Sequence, residues 1–296
     1  MSRGVLFSII GSMLFAVLYF YSTLLAPMDG EQIFGWRTLL TFPCLTAFIW
    51  WSGKQQLVIG LAQRMRHDPR IIISALATSA FLGLQLWLFM WAPLHGRALH
   101  VSLGYFLLPL TMLLTGRLLY RERLSRLQNT AAACAAIGVA NAFIQVGSLS
   151  WETLAVALGY PFYFVIRRRM GANHLGGLWF DMALLLPAGL YFIATGSVGM
   201  EALDSHRALL LLIPLLGVLS STALVFYMLS SQMLPLSLFG LLGYVEPVLL
   251  VMVALLLGET IRGGEWLTYI PVWIAVALLA ADGVRALRLP RNSATD

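Results

Sequence analysis

The chain has 296 residues, 59% of them hydrophobic and only 11% charged, with 19 Lys and Arg against 13 Asp and Glu for a net charge of +6. An ordinary soluble domain carries about 25% charged residues, so this composition, with a mean hydropathy of +0.83, excludes a soluble globular protein. Two cysteines, Cys44 and Cys134, fall in apolar stretches without metal-ligand or CxxC spacing, and they indicate neither redox chemistry nor a compartment.

Ten apolar stretches follow one another along the chain: 4–25, 32–51, 71–92, 99–119, 127–146, 150–169, 176–195, 208–230, 236–257 and 266–286. At about 1.5 Å of rise per residue, most are long enough to cross a hydrocarbon core of about 30 Å. Backbone amides find no water in lipid, and the runs lack the alternation of a barrel strand, so the expected fold class is an all-α integral membrane protein with ten transmembrane helices. The first stretch reads as a span rather than a cleaved signal, because it is of full span length and many spans follow it.

Basic residues orient the array. With the amino terminus inside, fifteen Lys and Arg fall on the inner side, at positions such as Lys54, Arg64, Arg121 and Arg167 to Arg169. Only Arg97, Arg207 and Arg262 fall on the outer side. The positive-inside rule then places both termini in the cytoplasm of a bacterial inner membrane. The clusters sit at span ends, next to lipid headgroups, and the run Arg167 to Arg169 reads as an interface anchor. Membrane lipids are therefore the expected partners, and nucleic acid is not.

The chain also repeats itself. Residues 102–124 read SLGYFLLPLTMLLTGRLLYRERL and residues 237–261 read SLFGLLGYVEPVLLVMVALLLGETI, while Pro93 and Pro235 end the preceding spans. Each half then has five spans, 1–147 and 148–290, followed by a short tail at 291–296. Five is odd, so the second half is inverted relative to the first, as in many secondary transporters. The spacing differs between the copies, from Ser to Pro above all, so the ninth span is expected to carry an extra irregular turn.

These residues carry a likeness. GEQIFGWR (Gly30 to Arg37), QLWLFMWAPLHG (Gln85 to Gly96), SLGYFLLP (Ser102 to Pro109), the RERL run (Arg121 to Leu124) and the stretch from Glu246 to Glu259 make the chain resemble the RarD-like branch of the EamA family of drug/metabolite transporters. The resemblance implies a ten-helix inner-membrane permease, usually an exporter of small metabolites, amino acids or drugs. Gln85 and Glu246 depart from that branch, where Asn and a non-acidic residue are common, so the substrate does not transfer with the likeness.

Among polar residues within the spans, Glu246 is the most informative. It lies near mid-span, where an ionised side chain costs at least about 2.5 to 3.5 kcal/mol, so it is the proton-coupling candidate. The competing reading is a protonated Glu that bonds the carbonyl freed by Pro247, which cannot donate to residue 243. Pro109 and Pro247 are expected to break the fourth and ninth spans at matching depths, marking a cavity. Arg37 and Asp181, which are repeat equivalents, are gate candidates or residues that snorkel to an interface, with Glu31 as outer partner and the basic run after the sixth span as inner partner. Gln85, Trp87, Trp91, Tyr105, Tyr160, Tyr163, Tyr227 and Tyr244 lie in spans expected to surround the cavity, and form an expected substrate-binding set of apolar walls with polar tips. The Ala- and Gly-rich fifth and tenth spans are expected to pack closely and support the fold.

Enzyme signatures such as HExxH, GxSxG or a P-loop are missing, no metal-ligand cluster is read, and no cofactor is expected. The functional expectation is a secondary-active exporter of a small amphipathic molecule working by alternating access around spans 1, 3, 4, 6, 8 and 9. Protons are the candidate coupling ion, and the oligomeric expectation is a monomer or homodimer. A membrane sensor or scaffold without transport is the alternative.

Overall fold

The computed structural model describes residues 2–196, 198, 207–256 and 263–288. Its elements are helices: α1 (Ser2–Thr23), α2 (Gly30–Trp51), α3 (Gln55–His67), α4 (Pro69–Leu94), α5 (Ala98–Tyr120), α6 (Arg126–Val146), α7 (Trp151–Arg169), α8 (Leu175–Thr195), α9 (Arg207–Met233), α10 (Leu236–Leu242), α11 (Val245–Leu256) and α12 (Trp266–Arg288), the last preceded by a 3₁₀ turn at Gly263–Glu265. Eight of them, α1, α2, α4, α5, α6, α8, α9 and α12, contain segments long and apolar enough to cross a bilayer. α7 ends in three arginines and α10–α11 is a divided pair, and both fall outside that set. Leu118, Ile144, Phe162 and Leu211 are exposed, a distribution that fits lipid rather than water.

Helix ends follow local chemistry. Asp29 caps α2 by accepting from the Gln32 amide at 2.7 Å. Ser125 and Gln128 form a reciprocal capping box on α6, satisfying amides that have no partner within the helix. α6 stops at Gly147, whose φ of 76° suits a residue without Cβ.

α3 is an element the span reading passed over. Leu57, Val58, Leu61 and Met65 recur on one helical face, too short and too charged a stretch to span. Leu61 packs with Ala75, Met170 and Ala172 under the α7–α8 turn.

The helices pack in pairs: α1 on α9, α2 on α8 and α9, α4 on α7 and α8, α5 on α7 and α10, and α6 on α12. Small residues permit the closest crossings. A Cβ on Gly35 would stand 2.6 Å from the Gly189 carbonyl oxygen, so α2 and α8 touch backbone to backbone. In the α6–α12 pair, Ala131, Ala135 and Ala275 are fully buried, as their composition led one to expect.

The two prolines behave differently from each other. α5 continues through Pro109, whereas the second half is interrupted at Gly243–Tyr244, ahead of Pro247. Pro247 is the third residue of α11, where the missing amide would have no intrahelical partner in any case. Matching breaks at both prolines are therefore not found. The irregular turn expected in the ninth span lies where the sequence had room for it, between α10 and α11.

Candidate functional site

A central cavity lies among α1, α2, α4, α5, α7, α9, α10 and α11. Phe15, Leu86, Phe89, Leu108, Met112 and Phe239 supply apolar wall. Ser8, Ser12, Arg37, Gln85, Tyr105, Tyr160, Tyr227 and Glu246 supply polar atoms, with Pro109, Gly240, Gly243 and Pro247 beside them. Aromatic rings brace one another around the space: Tyr227 lies 4.8 Å from Phe239 and 5.9 Å from Tyr160, centroid to centroid, and Phe89 meets Tyr105 edge-on at 5.9 Å.

Gln85 is held by its amide nitrogen, which donates to the Ala155 carbonyl at 2.8 Å. It occupies the space that a Cβ at position 159 would take, which is why glycine stands there. Its Oε1 is buried and has no partner. Arg37 is 2% exposed. Its Nε donates to Ser220 Oγ at 2.8 Å, while Nη2 is buried without a partner. Among the described residues no carboxylate lies within 4.0 Å of this guanidinium. The snorkelling expected of Arg37, and its pairing with Glu31, are both corrected: the side chain turns to the cavity because α9 offers Ser220 there.

Glu246 is half-buried on the cavity wall, next to the break between α10 and α11. The Gly243 carbonyl, which Pro247 cannot serve, accepts from the Glu246 backbone amide at 3.2 Å. The carboxyl group is not needed to repair the proline, which removes the main structural explanation for an acid at this depth.

Four of the eight expected pocket residues lie elsewhere. Tyr244 is fully buried, and its hydroxyl donates to the Phe106 carbonyl at 3.0 Å, serving α5 beside its proline. Trp87 stacks on Trp91 at 5.0 Å, and Trp91 on His95 at 4.3 Å, in a cluster that packs with Tyr105 without either Trp lining the cavity. Tyr163 points at Asp181, donating to Oδ2 at 3.0 Å.

Asp181 centres a second, closed cluster. Thr78 Oγ1 donates to its Oδ1 at 2.7 Å, Ser79 lies at 3.5 Å, and Arg167 stands 3.8 Å away with both partners fully buried. Gly177 leaves the room that the Arg167 guanidinium fills. The arginine run is thus not a uniform interface anchor: Arg167 is buried, Arg168 donates to the Ser231 and Leu234 carbonyls, and only Arg169 is exposed.

Glu122, read only as part of a motif, has a structural partner the sequence did not disclose. Arg121 turns the chain through a left-handed conformation (φ 53°). Glu122 then accepts from the Leu236 and Ser237 amides at 2.8 and 2.7 Å and lies 3.6 Å from Arg168. Glu259, the counterpart expected for it from the sequence, lies outside the described residues, together with Arg262 and the tail 291–296.

A helical membrane bundle enclosing a lined cavity defines the class, and comparison with known proteins gives the family. Residues 2–144 match the EamA-like transporter family. The chloramphenicol-sensitive protein RarD of Pseudomonas aeruginosa is 43% identical over 97% of this chain and 96% of its own length. An uncharacterized transporter of Pasteurella multocida is 41% identical over 97% and 99%. A crystal structure of a protein 17% identical superposes with a TM-score of 0.62, covering 95% of this chain and 99% of that one, which shows a shared fold. The chain belongs to the EamA-like transporter family, within its RarD-like branch, and is a bacterial integral membrane transporter.

Proposed function

We propose that this chain is a secondary transporter of the inner membrane, with ten spans in two inverted halves, 1–147 and 148–290, both termini in the cytoplasm, and alternating access to the central cavity. In this reading α7 is the sixth span and α10–α11 together the ninth. The helix pairing supports the inverted halves. α1 on α9 has its counterpart in α7 on α4, and α2 on α9 in α8 on α4, while α2–α8 and α6–α12 pair with themselves across a twofold axis. Side chains follow the same relation. Aligning Pro93 with Pro235 sets Thr78 opposite Ser220, so Asp181 accepting from Thr78 mirrors Arg37 donating to Ser220.

The substrate is a small amphipathic metabolite, amino acid or drug, moved outward in exchange for a proton carried by Glu246. One observation carries this reading: among the described residues lining the cavity Glu246 alone is acidic, it sits beside a helix break, and the Gly243 carbonyl that Pro247 leaves free is met by a backbone amide and not by this carboxyl group. Movement of a helix broken at that point changes access to the carboxyl group from one side to the other.

Counterflow in proteoliposomes, using compounds that raise the melting temperature of the purified protein, tests transport. A pH gradient then tests coupling. Glu246→Gln is expected to lose gradient-driven accumulation, while the counterflow that persists, weakened where the substrate contacts this carboxyl group, no longer responds to the pH gradient. Wild-type flux indifferent to the pH gradient rules proton coupling out.

A further inference from the structure

The polar lining of the cavity has two poles. Arg37 brings a permanent positive charge whose only hydrogen bond among the described residues is to a neutral serine hydroxyl, and its Nη2 is buried and without a partner among them. Glu246 brings the single carboxyl group on the wall. The two do not meet within 4.0 Å. A buried guanidinium whose nearest cavity carboxyl group stands beyond contact distance is costly, and Gln85 adds a buried acceptor, Oε1, that lacks a donor among the described residues. Both residues are almost fully enclosed, at 2% and 1% exposure, and both line the same space. The protein thus holds beside one cavity a buried donor group and a buried acceptor that have no hydrogen-bond partner among the described residues, an arrangement a ligand can complete.

We infer that the cavity selects zwitterions: a carboxylate, bound by Arg37, and a cationic amine, bound by Glu246 with Gln85 Oε1 as a further acceptor on the same cavity, carried on an aromatic or aliphatic body that packs against Phe15, Phe89 and Phe239. A planar guanidinium matches a carboxylate by paired N–H donors, which a cation-only or neutral ligand leaves unused. Arg37 is on this account a specificity-determining residue, and the pocket discriminates against molecules bearing one charge. The inference rests on the transport reading only for the identity of the cavity as the substrate site.

The test is isothermal titration of the purified full chain in detergent at neutral pH with three probes that share one ring and one linker length: L-phenylalanine, phenethylamine and 3-phenylpropanoate. L-Phenylalanine is expected to bind at least about tenfold more tightly than either single-charge probe, since a lost charge-assisted hydrogen bond leaves its partner buried and unpaired. Arg37→Gln is expected to remove the advantage of L-phenylalanine over phenethylamine, and Arg37→Lys to restore part of it. Equal binding of L-phenylalanine and phenethylamine by the wild type overturns the inference, as does binding of none of the three at millimolar concentration. A structural role, in which Arg37 and Glu246 merely neutralise each other, predicts that wild-type discrimination is absent and that Arg37→Gln/Glu246→Gln binds all three probes as the wild type does. The wild-type panel decides even where a variant fails to fold. Charge discrimination without counterflow of L-phenylalanine leaves the clamp standing and counts against transport. Counterflow of another substrate together with no charge discrimination overturns the clamp and leaves transport standing.

Discussion

Replacing Arg167 with methionine removes the cation that stands beside Asp181 and keeps an unbranched apolar stem in its place. Thr78, Ser79 and Tyr163 then remain as neutral donors at 2.7, 3.5 and 3.0 Å. Because both charged partners are fully buried, breaking the pair from one side is expected to cost about 3 to 5 kcal/mol. For a chain of this size that corresponds to a fall in Tm of roughly 6 to 20 °C, at about 2 to 4 °C per kcal/mol. Asp181→Asn leaves Arg167 with the His174 carbonyl at 3.2 Å as its hydrogen-bond partner and destabilises similarly. The double variant, with neither charge, is expected to recover at least about 1.5 kcal/mol relative to the sum of the singles. Cys44 and Cys134 are partly covered, so a thiol-reactive dye reports unfolding in detergent without added labels. Scans at one fixed heating rate make the variants comparable, since unfolding of such a protein is commonly irreversible. An Arg167→Met protein melting within about 2 °C of the wild type, or a double variant no better than the worse single, refutes the buried-pair argument.

Glu122→Ala strips two amides at the start of α10 of their acceptor and is expected to cost about 1 to 2 kcal/mol, read by the same melt; a variant indistinguishable from wild type counts against the cap. His174, in the turn between α7 and α8, titrates near pH 4 rather than its ordinary 6.5, because burial and then the charges of Arg167 and Arg64 disfavour its cationic form. The folded state therefore prefers the neutral ring. Its contribution is complete above pH 6.5 and is lost as pH falls toward about 4. The protection factor of the amides in residues 170–174, that is, exchange corrected for its intrinsic pH dependence, is expected to fall over that window and to stay flat in His174→Gln; an unchanged protection factor between pH 7 and pH 4.5 in the wild type contradicts this.

The helical membrane class, eight of the expected spans and the gathering of Gln85, Tyr105, Tyr160, Tyr227 and Glu246 around one space were legible in the amino-acid sequence, because hydropathy is a local sum and polar residues inside apolar spans stand out. Tertiary structure alone decided which side of each helix turns inward. Trp87 and Trp91 share α4 with Gln85 but do not line the cavity, and Tyr163 lies on α7 beside Tyr160 yet faces Asp181. In lipid, apolar faces look alike from sequence, so the hydrophobic pattern carries little information on helix rotation. Long-range partners were equally hidden: Ser220 for Arg37, the α10 amides for Glu122, and the α7–α8 turn for α3 each join residues separated widely along the chain. A hydrogen bond between two such groups leaves no mark on either local sequence, and it exists only once the helices have packed.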